Sequence, residues 1–153
     1  MGLMATIINK HLFVLLARLA LASVFVTAAL PKIEDPATFA SAVDAFRVID
    51  SGLSGWVALC LPWLELVLGI GILLPVIRRT SGALIGLLLL LFITLHLSAW
   101  VRGLDISCGC FGAETGEASA DYRWLILRNL LLLGAVILVH KQDRRNNNVA
   151  PRP

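Results

Sequence analysis

Four long apolar stretches constrain the fold of this chain more than any other feature. They cover His11–Leu30, Trp56–Pro75, Gly82–Trp100 and Tyr122–His140. A hydrocarbon core of about 30 Å is crossed by an α-helix of about 20 apolar residues, so each stretch is long enough to span a bilayer. The sequence therefore predicts an all-α membrane protein, a bundle of four transmembrane helices.

The distribution of charge favours a single membrane domain. Charged residues make up 15% of the 153 residues, whereas soluble domains carry about 25%. We predict a membrane domain over residues 1–140 and a disordered cytoplasmic tail, 141–153, because "DRRNNNVAPRP" is polar throughout. The net charge of +3 comes from basic residues in short loops and this tail. We therefore expect it to report membrane topology rather than nucleic-acid binding.

The first apolar stretch has one property of a signal peptide, since Lys10 precedes an apolar run. The run is longer than the usual signal-peptide core, and Arg18 interrupts it. We expect this stretch to be retained as a membrane anchor.

Lysine and arginine near the ends of the spans predict the orientation of the bundle, because cytoplasmic ends are enriched in them. The basic residues at one end of an up-and-down topology are Lys10, Arg78, Arg79, Lys141, Arg144 and Arg145. Lys32, Arg47 and Arg102 lie at the other end, where acidic residues dilute them. We predict a multi-pass protein of the bacterial inner membrane with both termini in the cytoplasm.

The first extracytoplasmic loop contains the pattern of a short amphipathic helix. Asp35 is placed to cap the helix and Pro36 to occupy its first position. Phe39, Val43 and Phe46 then recur at helical spacing. We expect an interfacial helix between spans one and two, acting either as a connector that rests on the membrane or as a lid over the outer mouth of the bundle.

Two cysteines, Cys108 and Cys110, lie in the second extracytoplasmic loop, within the sequence "SCGCFG". Disulfides form and persist in the oxidising compartment to which this loop is predicted to belong. Residues two apart can just reach disulfide geometry, and Gly109 eases the strain of so small a ring. Strained disulfides are suited to exchange. We therefore predict that Cys108 and Cys110 are catalytic in thiol–disulfide exchange, with a static structural disulfide as the alternative.

The cysteines do not predict a metal site. The Cys-Gly-Cys sequence supplies two ligands, and no second cysteine pair or adjacent histidine completes a zinc site. Cys60, the third cysteine, falls about one turn inside the outer end of span two. We interpret Cys60 as a small buried core residue, with an approach to the Cys-Gly-Cys loop as the alternative.

Ionisable residues within the spans are costly and are usually paired or functional. They are Arg18, Glu65, His96 and Arg128. A rise of 1.5 Å per residue puts Glu65 about 13 Å, Arg128 about 9 Å and His96 about 6 Å below the outer ends of their spans. We therefore expect Glu65 to pair with Arg128 and with Arg18.

Two interpretations of these charges remain open. They could form an ion pair that fixes the register of the helices. They could instead form a polar pocket of Glu65, His96 and Arg128 beneath the cysteines, which holds a quinone head group or relays protons. Thiol oxidation releases protons and electrons together, so it requires both an acceptor and a proton route.

The chain resembles the DoxX-like membrane proteins, and most closely their methylamine-utilisation MauE branch. The matching segments are residues 17–43, 61–74, 107–112 and 128–133, which include "SCGCFG" and "RNLLLL". The resemblance implies a four-helix membrane bundle that handles disulfides in the periplasm. It also implies maturation of a disulfide-rich enzyme subunit, of the methylamine dehydrogenase type, beside a thioredoxin-like partner. The residues that match the family pattern are Arg18, Lys32, Glu65, Cys108, Cys110 and Arg128.

Taken together, these features predict a membrane thiol–disulfide redox protein. Cys108 and Cys110 would exchange electrons with a periplasmic thioredoxin-like protein, and Glu65, His96, Arg128, Arg18 and Lys32 would form the cofactor site, with a quinone as the candidate. One alternative is a non-enzymatic assembly factor with a structural disulfide. Another is a small transporter that uses the Arg/Glu pocket, although internal repeats and broken helices are absent from the sequence.

The predicted topology can be tested with the cysteines themselves. In a Cys60→Ser background, a membrane-impermeant maleimide should label reduced Cys108 and Cys110 in intact spheroplasts, because their loop is predicted to face outwards. Labelling that requires permeabilisation would contradict the orientation.

Overall fold

A computed structural model describes residues 2–104 and 121–149, and the side chains within residues 12–50, 52–104 and 121–143. The described residues form five α-helices: α1 (Gly2–Glu34), α2 (Pro36–Ala45), α3 (Ser51–Gly71), α4 (Arg78–Val101) and α5 (Tyr122–Val149). Four of them are long and apolar enough to cross a membrane, over Leu12–Glu34, Gly52–Gly71, Arg78–Val101 and Tyr122–Asp143. The predicted all-α, four-span fold is confirmed.

The four long helices form a ring in which each contacts its two neighbours. The contacts are α1 with α3, α3 with α4, α4 with α5 and α5 with α1, and α2 packs mainly on α3. We call the end that holds the α3–α4 turn and residue 143 the terminal end. The opposite end, which holds α2 and the last turn of α4, is called the loop end.

The core of the bundle is a layer of aliphatic side chains between the four helices. Leu21, Ile72, Ile85 and Leu89 are at most 1% exposed. Large apolar side chains on the outer surface, such as Phe13, Leu87 and Leu131, are more than half exposed. A fold that leaves such residues outside is stable only in an apolar solvent, which is the environment that a bilayer supplies.

Small residues allow α1, α3 and α4 to approach one another closely. A Cβ atom on Gly69 would lie 3.1 Å from Cβ of Phe25 on α1. A Cβ atom on Gly71 would collide with the hydroxyl of Ser81 on α4. Membrane helices associate largely through such close backbone packing, because lipid tails offer no hydrophobic driving force between helices.

A cluster of charges closes the terminal end. The guanidinium of Arg18 donates to Asp143 Oδ1. Arg78 Nε lies 3.8 Å from Asp143 Oδ2, and the guanidinium of Arg79 donates to the backbone oxygen of Asp143 at 3.1 Å. The Asp143 side chain is only 3% exposed. The cluster therefore joins α1, the start of α4 and the end of α5.

This cluster accounts for two differences from the sequence-based expectations. Arg18 pairs with Asp143, so its predicted pairing with Glu65 is wrong. The helix α5 continues to Val149 and includes residues 141–149, which the sequence assigned to the disordered tail. Asp143 contacts three arginines, Arg18 and Arg78 through its carboxylate and Arg79 through its backbone oxygen, and these contacts hold this part of α5 against the bundle.

The helices at the loop end also extend beyond their predicted limits. α1 continues through Pro31 to Glu34, where the sequence predicted a loop, and α3 begins at Ser51 rather than Trp56. Proline is tolerated in transmembrane helices because neighbouring groups satisfy the freed carbonyl. At the start of α3, the backbone N–H groups of Leu53 and Ser54 donate to the oxygen of Asp50 at 2.9 and 3.3 Å.

The predicted interfacial helix is present as α2, with the predicted cap. The backbone N–H of Thr38 donates to Asp35 Oδ1 at 3.0 Å, and its hydroxyl donates to Oδ2 at 2.6 Å. The hydroxyl bond, followed by the backbone bond, lowers the pKa of the Asp35 carboxyl below its ordinary value. The helix ends at Ala45, and Arg47, two residues later, has a φ of 51° in the left-handed region. Arg102, which follows α4, donates to the oxygen of Phe46 at 2.8 Å and ties α2 to α4.

The terminal cluster predicts an ordered series of stabilities. Asp143→Ala should lower the thermal unfolding midpoint in detergent more than Asp143→Asn, because the amide oxygen still accepts from Arg18. Removing one member of a buried pair typically costs about 3–5 kcal/mol. Asp50→Ala is the matched control, since Asp50 is exposed and its side chain makes no capping bond. An Asp143→Ala variant that melts with the parent protein would contradict the role of the cluster.

Candidate functional site

A cavity of about 810 Å³ lies in the loop-end half of the bundle, beneath α2. All five helices contribute to its walls. The walls are mainly aliphatic and aromatic, and the polar residues that line them are Lys32, Cys60, Glu65, His96, Arg128 and Asn129. A large apolar cavity with a few convergent polar groups is the usual form of a small-molecule site.

The centre of the polar wall is a buried ion pair between Lys32 and Glu65. Lys32 Nζ lies 2.9 Å from Oε1 and 2.8 Å from Oε2 of Glu65. Their side chains are 4% and 1% exposed. The ammonium group also lies 5.1 Å from the ring centre of Phe39 and 5.6 Å from that of Phe92. Ion pairing and cation–π attraction together offset the cost of burying the lysine charge.

The sequence identified Glu65 but gave it the wrong partner from α1. Lys32 was expected in a loop because Pro31 precedes it, whereas α1 continues past both residues. The signal that could have found Lys32 is the spacing of Leu21, Phe25, Ala29 and Lys32, which places all four on one face of a helix. Arg18 lies fourteen residues before Lys32, or about 21 Å along α1, and it does not line the cavity.

The arrangement places the other predicted ionisable residues in the cavity wall. His96 and Arg128 both line the cavity, as the pocket hypothesis required. His96 is 4% exposed, and its Nδ1 lies 2.5 Å from the backbone oxygen of Phe92. Since a carbonyl oxygen only accepts, Nδ1 carries the proton in this bond. The predicted set of Glu65, His96, Arg128 and Lys32 therefore surrounds one space.

Asn129, which the sequence analysis did not single out, is a further buried polar residue of the wall. Its side chain is buried, with 2% of the residue exposed, and it lines the cavity. Its Nδ2 has no hydrogen-bond acceptor among the described residues. Leaving a buried amide without its hydrogen bond costs about 1–3 kcal/mol. A buried donor of this kind requires an explanation such as an ordered water or a ligand.

The apolar face of α2 forms the cover of the cavity. Phe39, Val43 and Phe46, the residues predicted to share one face, all line the cavity. The ring of Phe46 also meets the ring of His96 edge-on, at 6.0 Å between centres. This placement favours the lid interpretation of α2 over that of a simple connector.

The predicted exchange pair, Cys108 and Cys110, lies outside the described residues. Leu104 immediately precedes the undescribed residues 105–120 and Tyr122 lies two positions after them, and the two meet next to the cavity-lining His96. The Tyr122 hydroxyl donates to the backbone oxygen of Leu104 at 2.6 Å. The Tyr122 ring lies 6.5 Å from the ring of His96. The segment that carries the cysteines therefore leaves and re-enters the bundle at the cavity rim.

The third cysteine differs from its predicted position. Cys60 is exposed, so its interpretation as a buried core residue is wrong. It lies nine residues after the start of α3, further along the helix than expected, and lines the cavity. Within residues 2–104 and 121–149, no three side chains of His, Cys, Asp or Glu are grouped closely enough to hold a metal ion.

Substitution of Glu65 tests the central ion pair. Glu65→Ala should lower the thermal unfolding midpoint in detergent more than Glu65→Gln, because the alanine leaves the buried Lys32 ammonium without an acceptor. The expected loss is about 3–5 kcal/mol for a broken buried pair. The double substitution Lys32→Met with Glu65→Leu should recover much of the loss, since it removes both charges. Equal midpoints for Glu65→Ala and the parent protein would mean that the pair does not stabilise the bundle.

Comparison with known proteins identifies the family. The profile of the family described as "Methylamine utilisation protein MauE" matches residues 10–141. The chain is 32% identical to the methylamine utilization protein MauE of Paracoccus denitrificans over 123 residues, which are 80% of this chain and 65% of that protein. It is 28% identical to the MauE protein of Methylophilus methylotrophus over 137 residues, which are 89% of this chain and 72% of that protein.

The chain thus spans just under two thirds of the Paracoccus relative. No solved structure shows significant similarity to it. The match extends over most of the described bundle, from the first span to the end of α5's apolar part. The chain belongs to the MauE family of multi-pass membrane proteins.

Proposed function

We propose that this chain is a thiol–disulfide redox protein of the bacterial inner membrane. Cys108 and Cys110 exchange electrons with a periplasmic thioredoxin-like protein, and the cavity of the bundle serves this exchange. The observation that carries the proposal is the cavity itself. The cavity is an apolar space with a buried polar wall. Leu104 and Tyr122, on either side of the segment that contains the two cysteines, meet at its rim.

The cysteines are close in sequence to a residue that is held near the cavity. The backbone oxygen of Leu104 accepts from the Tyr122 hydroxyl, and the Tyr122 ring lies 6.5 Å from that of His96. Cys108 and Cys110 follow Leu104 by four and six residues. This short separation along the chain supports a role for the cavity in the chemistry of the cysteines.

The exchange proceeds through a mixed disulfide. A thiolate of the partner attacks the Cys108–Cys110 disulfide, so that one sulfur–sulfur bond breaks and one forms between the two proteins. The second thiolate of the partner then attacks this bond and becomes part of the partner's own disulfide. Two electrons pass to this chain, and its two thiolates take up two protons. In the reverse direction, the same steps reduce the disulfide of the partner.

The residues of the cavity fit a quinone as the second redox partner. Asn129 offers a donor that has no acceptor among the described residues. The wall around it is mainly aliphatic and aromatic and also includes Lys32, His96, Arg128 and Glu65. A bound quinone would supply the chemistry of an acceptor for two electrons and two protons. Arg18, which was predicted to belong to this set, is engaged by Asp143 at the other end of the bundle.

The Lys32–Glu65 pair provides the exchangeable proton that such chemistry needs. The two groups are in hydrogen-bond contact, so a proton can move between Nζ and a carboxylate oxygen without rearrangement of the helices. Because both lie in the wall of the cavity, the pair can deliver a proton there or remove one. We assign Lys32 and Glu65 to proton transfer and Asn129, His96 and Arg128 to positioning.

The names of the relatives suggest the physiological setting. The Paracoccus and Methylophilus proteins are called methylamine utilization proteins. We propose that this chain supports the maturation of disulfide-containing proteins, of the methylamine dehydrogenase type.

We place the terminal end in the cytoplasm because Arg18, Arg78 and Arg79 cluster there. Trp56, Trp100 and Trp124 are exposed at the opposite end, as expected for a membrane interface.

The proposal predicts a covalent intermediate that can be trapped. When Cys108 attacks the disulfide of a thioredoxin-like protein, Cys110→Ser should accumulate the mixed disulfide, because Cys110 is the cysteine that resolves the adduct in this direction. The adduct should appear on a non-reducing gel of membranes and disappear with dithiothreitol. Cys60→Ser is the control and should not change it.

Two results together would replace the proposal with a non-enzymatic assembly factor. The first is that neither Cys108→Ser nor Cys110→Ser traps a partner. The second is that the double variant Cys108→Ser/Cys110→Ser still supports maturation of the partner. In that case the two cysteines would form at most a structural disulfide.

A further inference from the structure

One side of the cavity is walled by residues that are also exposed on the outside of the bundle. Leu64 and Val67 on α3 line the cavity, and they are 43% and 57% exposed. Leu91 on α4 lines it as well and is 48% exposed. The cavity is only partly enclosed, and these half-exposed side chains lie where its wall meets the outer surface of the bundle. The cavity therefore has an opening bordered by α3 and α4.

This opening lies at the depth of the lipid chains. At 1.5 Å per residue, Leu91 lies about 15 Å from the loop end of α4, and Val67 lies about 24 Å from that of α3. The hydrocarbon core of a bilayer is about 30 Å thick. The opening is therefore a lateral one, and lipid rather than water has access to it. The apolar character of Leu64, Val67 and Leu91 fits this solvent.

The polar wall determines what kind of head group can occupy the cavity. The side chain of Asn129 offers an N–H that lacks an acceptor among the described residues. Lys32 and Arg128 are the cations of this wall, and Glu65 is its carboxylate. A ring carbonyl can accept from Asn129 without bringing any charge into the cavity. Phe39, Phe46 and Phe92 supply the flat walls that an aromatic ring contacts favourably.

We infer that the α3–α4 opening is a lateral portal through which a quinone with a long apolar chain enters the cavity from the bilayer. Its ring lies against the polar wall, where Asn129 Nδ2 donates to a ring carbonyl, and its chain leaves between Leu64, Val67 and Leu91. This inference rests on the proposed function in the choice of a quinone over other carbonyl-bearing lipids. The portal itself rests on the geometry of the cavity alone.

Trp63 allows occupation of the cavity to be measured without any redox reaction. Trp63 lines the cavity, whereas the other three tryptophans, Trp56, Trp100 and Trp124, do not. The test protein carries Cys108→Ser and Cys110→Ser together with phenylalanine at positions 56, 100 and 124. In nanodiscs, decylubiquinone should quench the fluorescence of Trp63 with a saturable dependence on concentration. A matched protein that retains only Trp56 should show non-saturable, collisional quenching. The chain that keeps all four tryptophans, measured in parallel, should show both saturable and collisional quenching.

Two substitutions separate the portal from the general lipid-facing surface. Val67→Phe should raise the apparent Kd for decylubiquinone about tenfold or more, because the larger side chain fills the opening. Ile70→Phe is the control, since Ile70 is exposed on the same helix and does not line the cavity. Asn129→Leu should raise the Kd about three- to tenfold, the range expected for loss of one hydrogen bond.

The outcomes distinguish the inference from its alternatives. Equal effects of Val67→Phe and Ile70→Phe, or the absence of saturable quenching at Trp63, would overturn the portal. Saturable quenching by brominated phosphatidylglycerol that decylubiquinone does not displace would assign the cavity to a phospholipid and overturn the choice of a quinone. Because the test protein lacks Cys108 and Cys110, failure of the thiol mechanism would leave these measurements unchanged.

Discussion

The buried ion pair between Lys32 and Glu65 is the interaction on which the loop-end half of the bundle depends. Charges in an apolar interior are tolerated only when each has a partner, so the pair fixes the level of α1 against α3. Lys32 is near the end of α1, whereas Glu65 lies fourteen residues into α3. The first three turns of α3 therefore extend beyond α1, and α2 packs beside them over the cavity. A change in this register would displace the cover and the polar wall together.

The charged side chains at the two ends of the bundle are arranged in opposite ways. At the terminal end, Asp143 accepts hydrogen bonds from Arg18 and Arg79 and lies close to Arg78. These interactions form a closed contact between the helices. At the loop end, polar side chains converge on an open space beneath α2. Stability alone would favour filling such a space with apolar side chains. This asymmetry supports assigning function to the loop end and structure to the terminal end.

The elements of the fold could be predicted from the sequence because they depend on local patterns. Four apolar runs gave the four spans, and Asp35 followed by Pro36 marked the start of α2. The partners of the buried charges could not be predicted in the same way, because pairing is decided by tertiary packing. Pro31 made Lys32 look like a loop residue, and the polar surroundings of Asp143 made it look like part of a tail. Each of these misassigned residues proved to be the partner of a correctly identified charge, Glu65 in one case and Arg18 in the other. Asn129 carries no signal in the sequence, since its significance is the lack of a partner in the folded protein.

The cover and the lateral opening of the cavity have complementary consequences for the proposed redox chemistry. α2 places Phe39, Val43 and Phe46 between the cavity and the loop end, so the polar wall is screened on that side by apolar side chains. The opening between α3 and α4 leaves the cavity accessible from lipid. A thiol reaction at the rim can then be coupled to a lipid-soluble acceptor while the acceptor remains separated from bulk water. Exclusion of water also strengthens the electrostatic coupling between Lys32 and Glu65, since their attraction grows as the local dielectric constant falls. The same apolar surroundings that make these charges expensive to bury therefore strengthen the contact that holds α1 against α3 beside the cavity.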